Sequence, residues 1–148
     1  MIRMALAVAA LALAACTPAA VDVADPWAAL QPWNHSRPGV EKLEAGTEYV
    51  VVRKGDGKVA SPNPRDRVEV NYEGRHAKNG LIVDSTYQRG ETSTFPVNGV
   101  IPGWTAGLQK MQPGDMFMFW IPSAQGYGER GSGVEIPPNA DLMFQVEL

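Results

Sequence analysis

Residues able to carry covalent or proton-transfer chemistry are few in this chain, and they stand apart. His35 and His76 are far from one another, and Cys16 is the one cysteine. They assemble no Ser-His-Asp or Cys-His set, and a single cysteine allows neither an intramolecular disulfide nor a zinc cluster of the usual Cys/His kind. The stretch GVIPGWTAGLQKMQPGD, Gly99 to Asp115, offers a different chemistry. Pro102 suits the first turn of a helix, where its missing N–H costs nothing. Ile101, Trp104, Leu108 and Met111 recur at spacings of three and four, one face of a short helix that Pro113-Gly114 would end. Trp104 then sits in the first turn, at the rim of a helix–sheet interface, beside N–H groups that have no helical partner. An apolar floor next to free amide donors suits a ligand that is apolar and carries carbonyls. A Trp104 buried as plain core would satisfy the same spacing.

The elements that would position such a floor are short and turn-rich. Among 148 residues there are 15 Gly and 12 Pro, and the 45% hydrophobic fraction fills one modest core. A net charge of −3 argues against a general nucleic-acid binder. From Gly46 onward the pattern is that of strands. TEYVVV ends in a Gly-Asp-Gly turn, Arg67 to Tyr72 alternates polar and apolar, and Asn79-Gly80 is a hairpin-type turn before Leu81-Ile82-Val83. Thr94 to Val97, Met116 to Ile121 and Asp141 to Leu148 complete the extended pieces, with a Gly-rich loop from Ser123 to Pro138. The only convincing helix is the one that begins at Pro102.

Before Gly46 the chain reads differently. MIRMALAVAALALAAC has Arg3, an apolar run and then small residues, the pattern of an export signal rather than a spanning helix. Leu13-Ala14-Ala15-Cys16 resembles the bacterial lipobox, in which the cysteine is acylated; an ordinary signal cleaved near Ala15 is the other reading. The expected organisation is a lipoprotein signal peptide at 1–15, a lipid-anchored tether at 16–45 and a folded domain at 46–148. Thr17 behind the cysteine suggests sorting to the outer membrane, facing the periplasm. Within the tether, Asp25-Pro26 could cap one helical turn that Pro32 would stop.

Met116-Phe117-Met118-Phe119-Trp120-Ile121 is apolar on both faces. With Phe117, Phe119 and Ile121 turned to the helix, Met116, Met118 and Trp120 point to the side of an open antiparallel sheet that is usually polar. Such a stripe needs a cover. Trp27, Leu30 and Trp33 folding back is the expected one; a dimer contact or a client contact are the rivals.

GVIPGW, VEVNYEG with VDST after it, and YGERGSGVEIPPNADLMFQVEL, in this order, resemble FKBP-type peptidyl-prolyl cis-trans isomerases over about Gly46 to Leu148. The resemblance implies an α+β fold: a curled antiparallel sheet of about five strands wrapped around one short helix, with an apolar bowl between them. It implies Trp104 as the floor of a proline pocket, Tyr72, Phe144 and Ile101 as walls and Val100 as rim, with Ile136 and Val83 among the substrate-binding residues. It further implies the Ile101 N–H and the Tyr127 hydroxyl as donors, Asp84 as the pocket carboxylate paired with Arg89, and Phe95 as a buried core ring. Asp84 would orient Arg89 and Tyr127 or act electrostatically on the amide; before Ser85-Thr86 it is also placed as a turn or cap residue. Val83 stands where the family usually has Phe, Ser93 where an aromatic often lines the bowl, and Ser132 and Glu135 where apolar residues often flank the ligand. These departures imply a bowl wider and more polar on one side.

The activity so implied needs no cofactor, no metal and no nucleophile. Its partners would be proline-containing unfolded or partly folded polypeptides, met at a membrane to which the lipid anchor holds the protein. A non-catalytic FKBP-like chaperone or peptide-binding module, and a lipid-anchored structural protein of the envelope, are the alternative readings.

Overall fold

The computed structural model describes residues 18–148. The expected leader at 1–15 and Cys16 lie outside the described residues. Seven strands form one antiparallel sheet: β1 Glu41–Lys42, β2 Glu48–Arg53, β3 Arg67–His76, β4 Ile82–Ser85, β5 Ser93–Pro96, β6 Met116–Ile121 and β7 Leu142–Glu147. Their spatial order is β1-β2-β6-β7-β3-β4, with β5 also on β3. The helices are α1 Pro26–Leu30, α2 Thr86–Arg89 and α3 Pro102–Leu108. Seven pairing segments replace the expected five or so. One reason is β3, long enough to hold two partners on one edge: Arg67–Val70 pairs with β5 and Glu73–Arg75 with β4. Its opposite edge, Asn71–His76, pairs with β7. The other reason is β1, which comes from the stretch read as tether.

β6 divides its side chains as the alternation predicts. Phe117, Phe119 and Ile121 join the inner core with Leu108, Met111, Val70 and Val146, while Met118 lies in a second cluster on the other face. α3 lies close against the inner face because two of its residues lack side chains. A Cβ on Gly107 would stand 2.4 Å from the Phe119 ring, and one on Gly103 would stand 2.7 Å from Ile121. α3 ends at Leu108, earlier than the spacing suggested, yet Met111 is fully buried in the turn that follows. That turn is fixed by Asp115. Its buried carboxylate accepts from Gln112 N at 2.9 Å and Gly55 N at 2.8 Å and pairs with Lys54 Nζ at 2.7 Å. All of these donors meet a charged acceptor, so its burial leaves no orphan behind.

The outer face is covered by the chain itself. Asp25 caps α1, its Oδ1 accepting from Trp27 N and Ala28 N. Trp27 and Leu30 are buried against Val50, Met118 and Met143, with Trp33 and Trp120 packed at the edge of the same cluster. Arg75 lies 4.1 Å above the Trp27 ring. The segment is then clipped to the sheet by Glu48, a carboxylate only 5% exposed. It accepts from Trp33 Nε1 at 2.7 Å and meets His35 Nδ1 at 2.8 Å and Lys42 Nζ at 3.3 Å. Val21 N donates to Val51 O, so the chain is pinned to the sheet from that residue on. Residues 21–45 are thus continuous with the body that the sequence placed at 46–148.

Candidate functional site

The floor of the site is set by where α3 begins. Its first turn places Trp104 between the sheet and the surface, 5% exposed. Three rings stand edge-on to the indole: Tyr72 of β3 at 5.1 Å, Phe144 of β7 at 5.4 Å and Phe95 of β5 at 5.7 Å, with interplanar angles of 85–90°. Edge-to-face contacts of this kind fix ring orientation as well as burying area. Above them opens a cavity of about 580 Å³, lined by these rings and by Val83, Val100, Ile101, Ile136 and Tyr127, with Asp84, Ser132 and Glu135 as its polar members. The indole N–H is buried and has no hydrogen-bond partner among the described residues. Trp104 is therefore both well packed and the base of an open hollow, which joins the two readings its spacing allowed.

The ion pair at the mouth is built by β4 and α2. Ser85 caps α2, its Oγ accepting from Gln88 N, and Asp84 precedes it on β4. One carboxylate oxygen of Asp84 receives Arg89 and the amide of Ser85; the other receives the Tyr72 hydroxyl. Arg89 also reaches Ser93 Oγ at 3.2 Å. Burial, and then the hydrogen bond to Asp84, push the Tyr72 phenol up to about 12, so it remains a donor at any ordinary pH. Burial, and then the charge of Asp84, also raise Tyr127.

Tyr72, Val83, Asp84, Val100, Ile101, Trp104, Tyr127, Ile136 and Phe144 all line the hollow. Arg89 stands behind Asp84 instead of on the wall. Two expectations change. Asp84 holds Tyr72 along with Arg89, where orienting Arg89 and Tyr127 was one of its two expected roles; the strand partner Gly74 brings β4 beside β3. Phe95 is half-buried and a wall of the hollow, not a core ring. Its place opposite Val68 was readable only once β5 was paired with β3. Ser93 faces Arg89 and is absent from the lining, while Ser132 and Glu135 make one side polar.

The architecture is thus an open antiparallel sheet curled on the short helix α3, with an aromatic hollow between them. The family model for FKBP-type peptidyl-prolyl cis-trans isomerase matches residues 58–148. The chain belongs to that family. It is 44% identical over 115 residues to the peptidyl-prolyl cis-trans isomerase Mip of Coxiella burnetii, covering 78% of this chain and 49% of that protein. It is 47% identical to the FKBP-type peptidyl-prolyl cis-trans isomerase FkpA of Aeromonas hydrophila, over 78% of this chain and 41% of that one. The crystal structure of FkpA from Escherichia coli superposes with a TM-score of 0.72 at 40% identity, covering 77% of this chain and 52% of that chain. The chain spans about half the length of the curated relatives it matches.

Proposed function

We propose that the hollow is a peptidyl-prolyl cis-trans isomerase site that acts on unfolded or partly folded exported polypeptides. The observation that carries this reading is an open apolar cavity of about 580 Å³ based on an indole that three aromatic rings hold edge-on. Turning a peptide bond meets a barrier of about 18–20 kcal/mol because twisting removes amide resonance. The planar amide is the more dipolar state, and water stabilises it. A prolyl ring seated on Trp104 would carry its amide into a dry environment that favours the twisted, less polar form. Only such preference for the twisted bond accelerates the reaction, tenfold for every ~1.36 kcal/mol. The Ile101 N–H would receive a substrate carbonyl, Tyr127 would donate at the mouth, and Asp84, held by Tyr72 and Arg89, would present a fixed negative charge beside the amide.

A protease-coupled assay on proline peptides tests the proposal. Wild type should accelerate isomerisation, and Trp104→Ala should reduce kcat/KM about a hundredfold, or ~2.7 kcal/mol. No acceleration by wild type would overturn it. The polar side made by Ser132 and Glu135 favours a second reading, a binding module without useful catalysis; peptide affinity without acceleration is its signature. With Val83 in the wall, bulky aliphatic residues before proline should be preferred, and a flat profile would contradict this.

We place the protein in the bacterial cell envelope, lipid-anchored through Cys16. Prolyl isomerisation takes tens to hundreds of seconds unaided, and an isomerase without a cofactor can work where no ATP is supplied. Cys16→Ser should release the protein from the membrane fraction; retention there would refute the anchor.

A further inference from the structure

A second groove, of about 750 Å³, adjoins the hollow, and Glu135 lines both. Its lining mixes apolar and polar side chains: Val134 is 95% exposed and Leu81 is 63% exposed, Trp120 and Pro137 add apolar surface, and Lys78 and Asp141 are among the polar members. One bank is supplied by the N-terminal segment: His35 packs edge-on to Trp120 at 4.6 Å and is held there by Glu48. The far bank is the turn between β3 and β4, where Asn79 Oδ1 accepts from Leu81 N and Gly80 N donates to His76 O. Both banks are thus fixed by hydrogen bonds, and the floor is the sheet. Exposed aliphatic side chains in a trough that shares Glu135 with the hollow are a surface on which a chain can lie.

We propose that this groove takes the continuation of the client polypeptide whose proline occupies the hollow: the chain passes over Glu135 and lays an apolar side chain against Trp120, Leu81 and Val134. The proposal rests on the isomerase reading of the hollow. Its occupant follows from continuity, since a segment leaving the hollow on the Glu135 side enters the groove directly. It assigns specificity to residues flanking the proline at a distance, in addition to the residue immediately before it.

The test compares a short proline peptide with longer ones that share its core and carry, on one side or the other, a leucine-bearing or a serine-bearing extension. Isomerisation is read by NMR exchange on the full chain. A leucine-bearing extension on one side should lower KM about tenfold against its serine counterpart, the scale expected of burying one aliphatic side chain. The double variant Leu81→Ser/Val134→Ser, at exposed positions, should abolish that leucine-over-serine preference, with its melting temperature reporting that the fold is kept. Equal KM for all extensions, or a preference that survives in the double variant, overturns the groove while short-peptide catalysis upholds the hollow. If no peptide is accelerated, the isomerase reading falls, and the affinities of the same peptides for wild type and double variant decide the groove: loss of the leucine preference supports it, and equal affinities overturn it.

Discussion

The two faces of this sheet carry similar side chains to opposite ends. Both are rich in aromatic and aliphatic groups, and β6 supplies them alternately, Phe117 and Phe119 inward, Met118 and Trp120 outward. On the outer face the chain brings its own lid, and the polar groups that arrive with it find partners: Trp33 Nε1 donates to Glu48, and Arg37 donates to Ala29 O at 2.7 Å. On the inner face α3 covers only part of the core, and among the described residues two buried groups there lack a partner: the Thr47 hydroxyl beneath α3 and the Trp104 indole N–H at the base of the hollow. A satisfied, covered surface holds the fold together. An equally apolar but uncovered one, with a donor to spare, is available to a ligand. What separates structure from site here is therefore closure, not composition.

Removing the lid is the largest perturbation. Deleting residues 18–37 should cost roughly 4–6 kcal/mol, given the burial of Trp27 and Leu30, or about 15–20 °C in melting temperature. Unchanged melting and unchanged tryptophan emission would show that the cover is incidental and collapse the contrast between the faces. Glu48→Gln should weaken the clip by about 2 kcal/mol at neutral pH. Burial alone would raise the Glu48 carboxyl, but its bonds to Trp33, His35 and Lys42 outweigh it and hold it below the ordinary 4.5. The folded state thus binds this proton less readily than the unfolded one. The stability that Glu48 adds is complete above about pH 4.5 and is lost as pH falls through the lower folded value. The melting difference between wild type and Glu48→Gln should shrink over that range; a constant difference would mean that Glu48 carries no special charge interaction.

Smaller changes probe the open face. Trp104→Phe keeps an aromatic base but shrinks it, so kcat/KM should fall about tenfold while melting moves by no more than about 5 °C. An equally large loss of stability and activity would mark the ring as core first and floor second. The mildest test is alkaline titration. The four tyrosines, Tyr49, Tyr72, Tyr87 and Tyr127, all have raised phenols, burial being the first cause in each. Tyrosinate absorbance should stay low at pH 10 and appear as the protein unfolds: a raised phenol favours the folded state fully below pH 10, and for Tyr72 that contribution is lost as pH rises towards about 12. A phenol titrating freely at pH 10 would show that its site is wetter than the structure implies.

The parts of this arrangement that were legible in sequence are those that local rules govern. Asp25-Pro26 with Pro32 beyond specified α1, and the β6 alternation specified two apolar faces and so a missing cover. The ring of site residues came from motif order. What stayed hidden depends on distant partners. Glu48 sits in a strand where a carboxylate would be expected to face water; it is buried because Trp33, His35 and Lys42 arrive from another segment. Asp84 takes the Tyr72 hydroxyl because β4 pairs with β3, a fact of register that no spacing within VDST reveals. Phe95 alternates as well with a core position as with a wall, and its pairing opposite Val68 of β3 decides.

The bond from Val21 to Val51 has a consequence for reach. Only four residues lie between Cys16 and Val21, so the five Cα-to-Cα steps span at most about 18 Å of extended chain. A lipid at Cys16 would tie the domain to the bilayer by a short leash rather than a long stalk. The folded body would then be confined to a layer about one molecule deep along that surface, with little freedom to swing away from it.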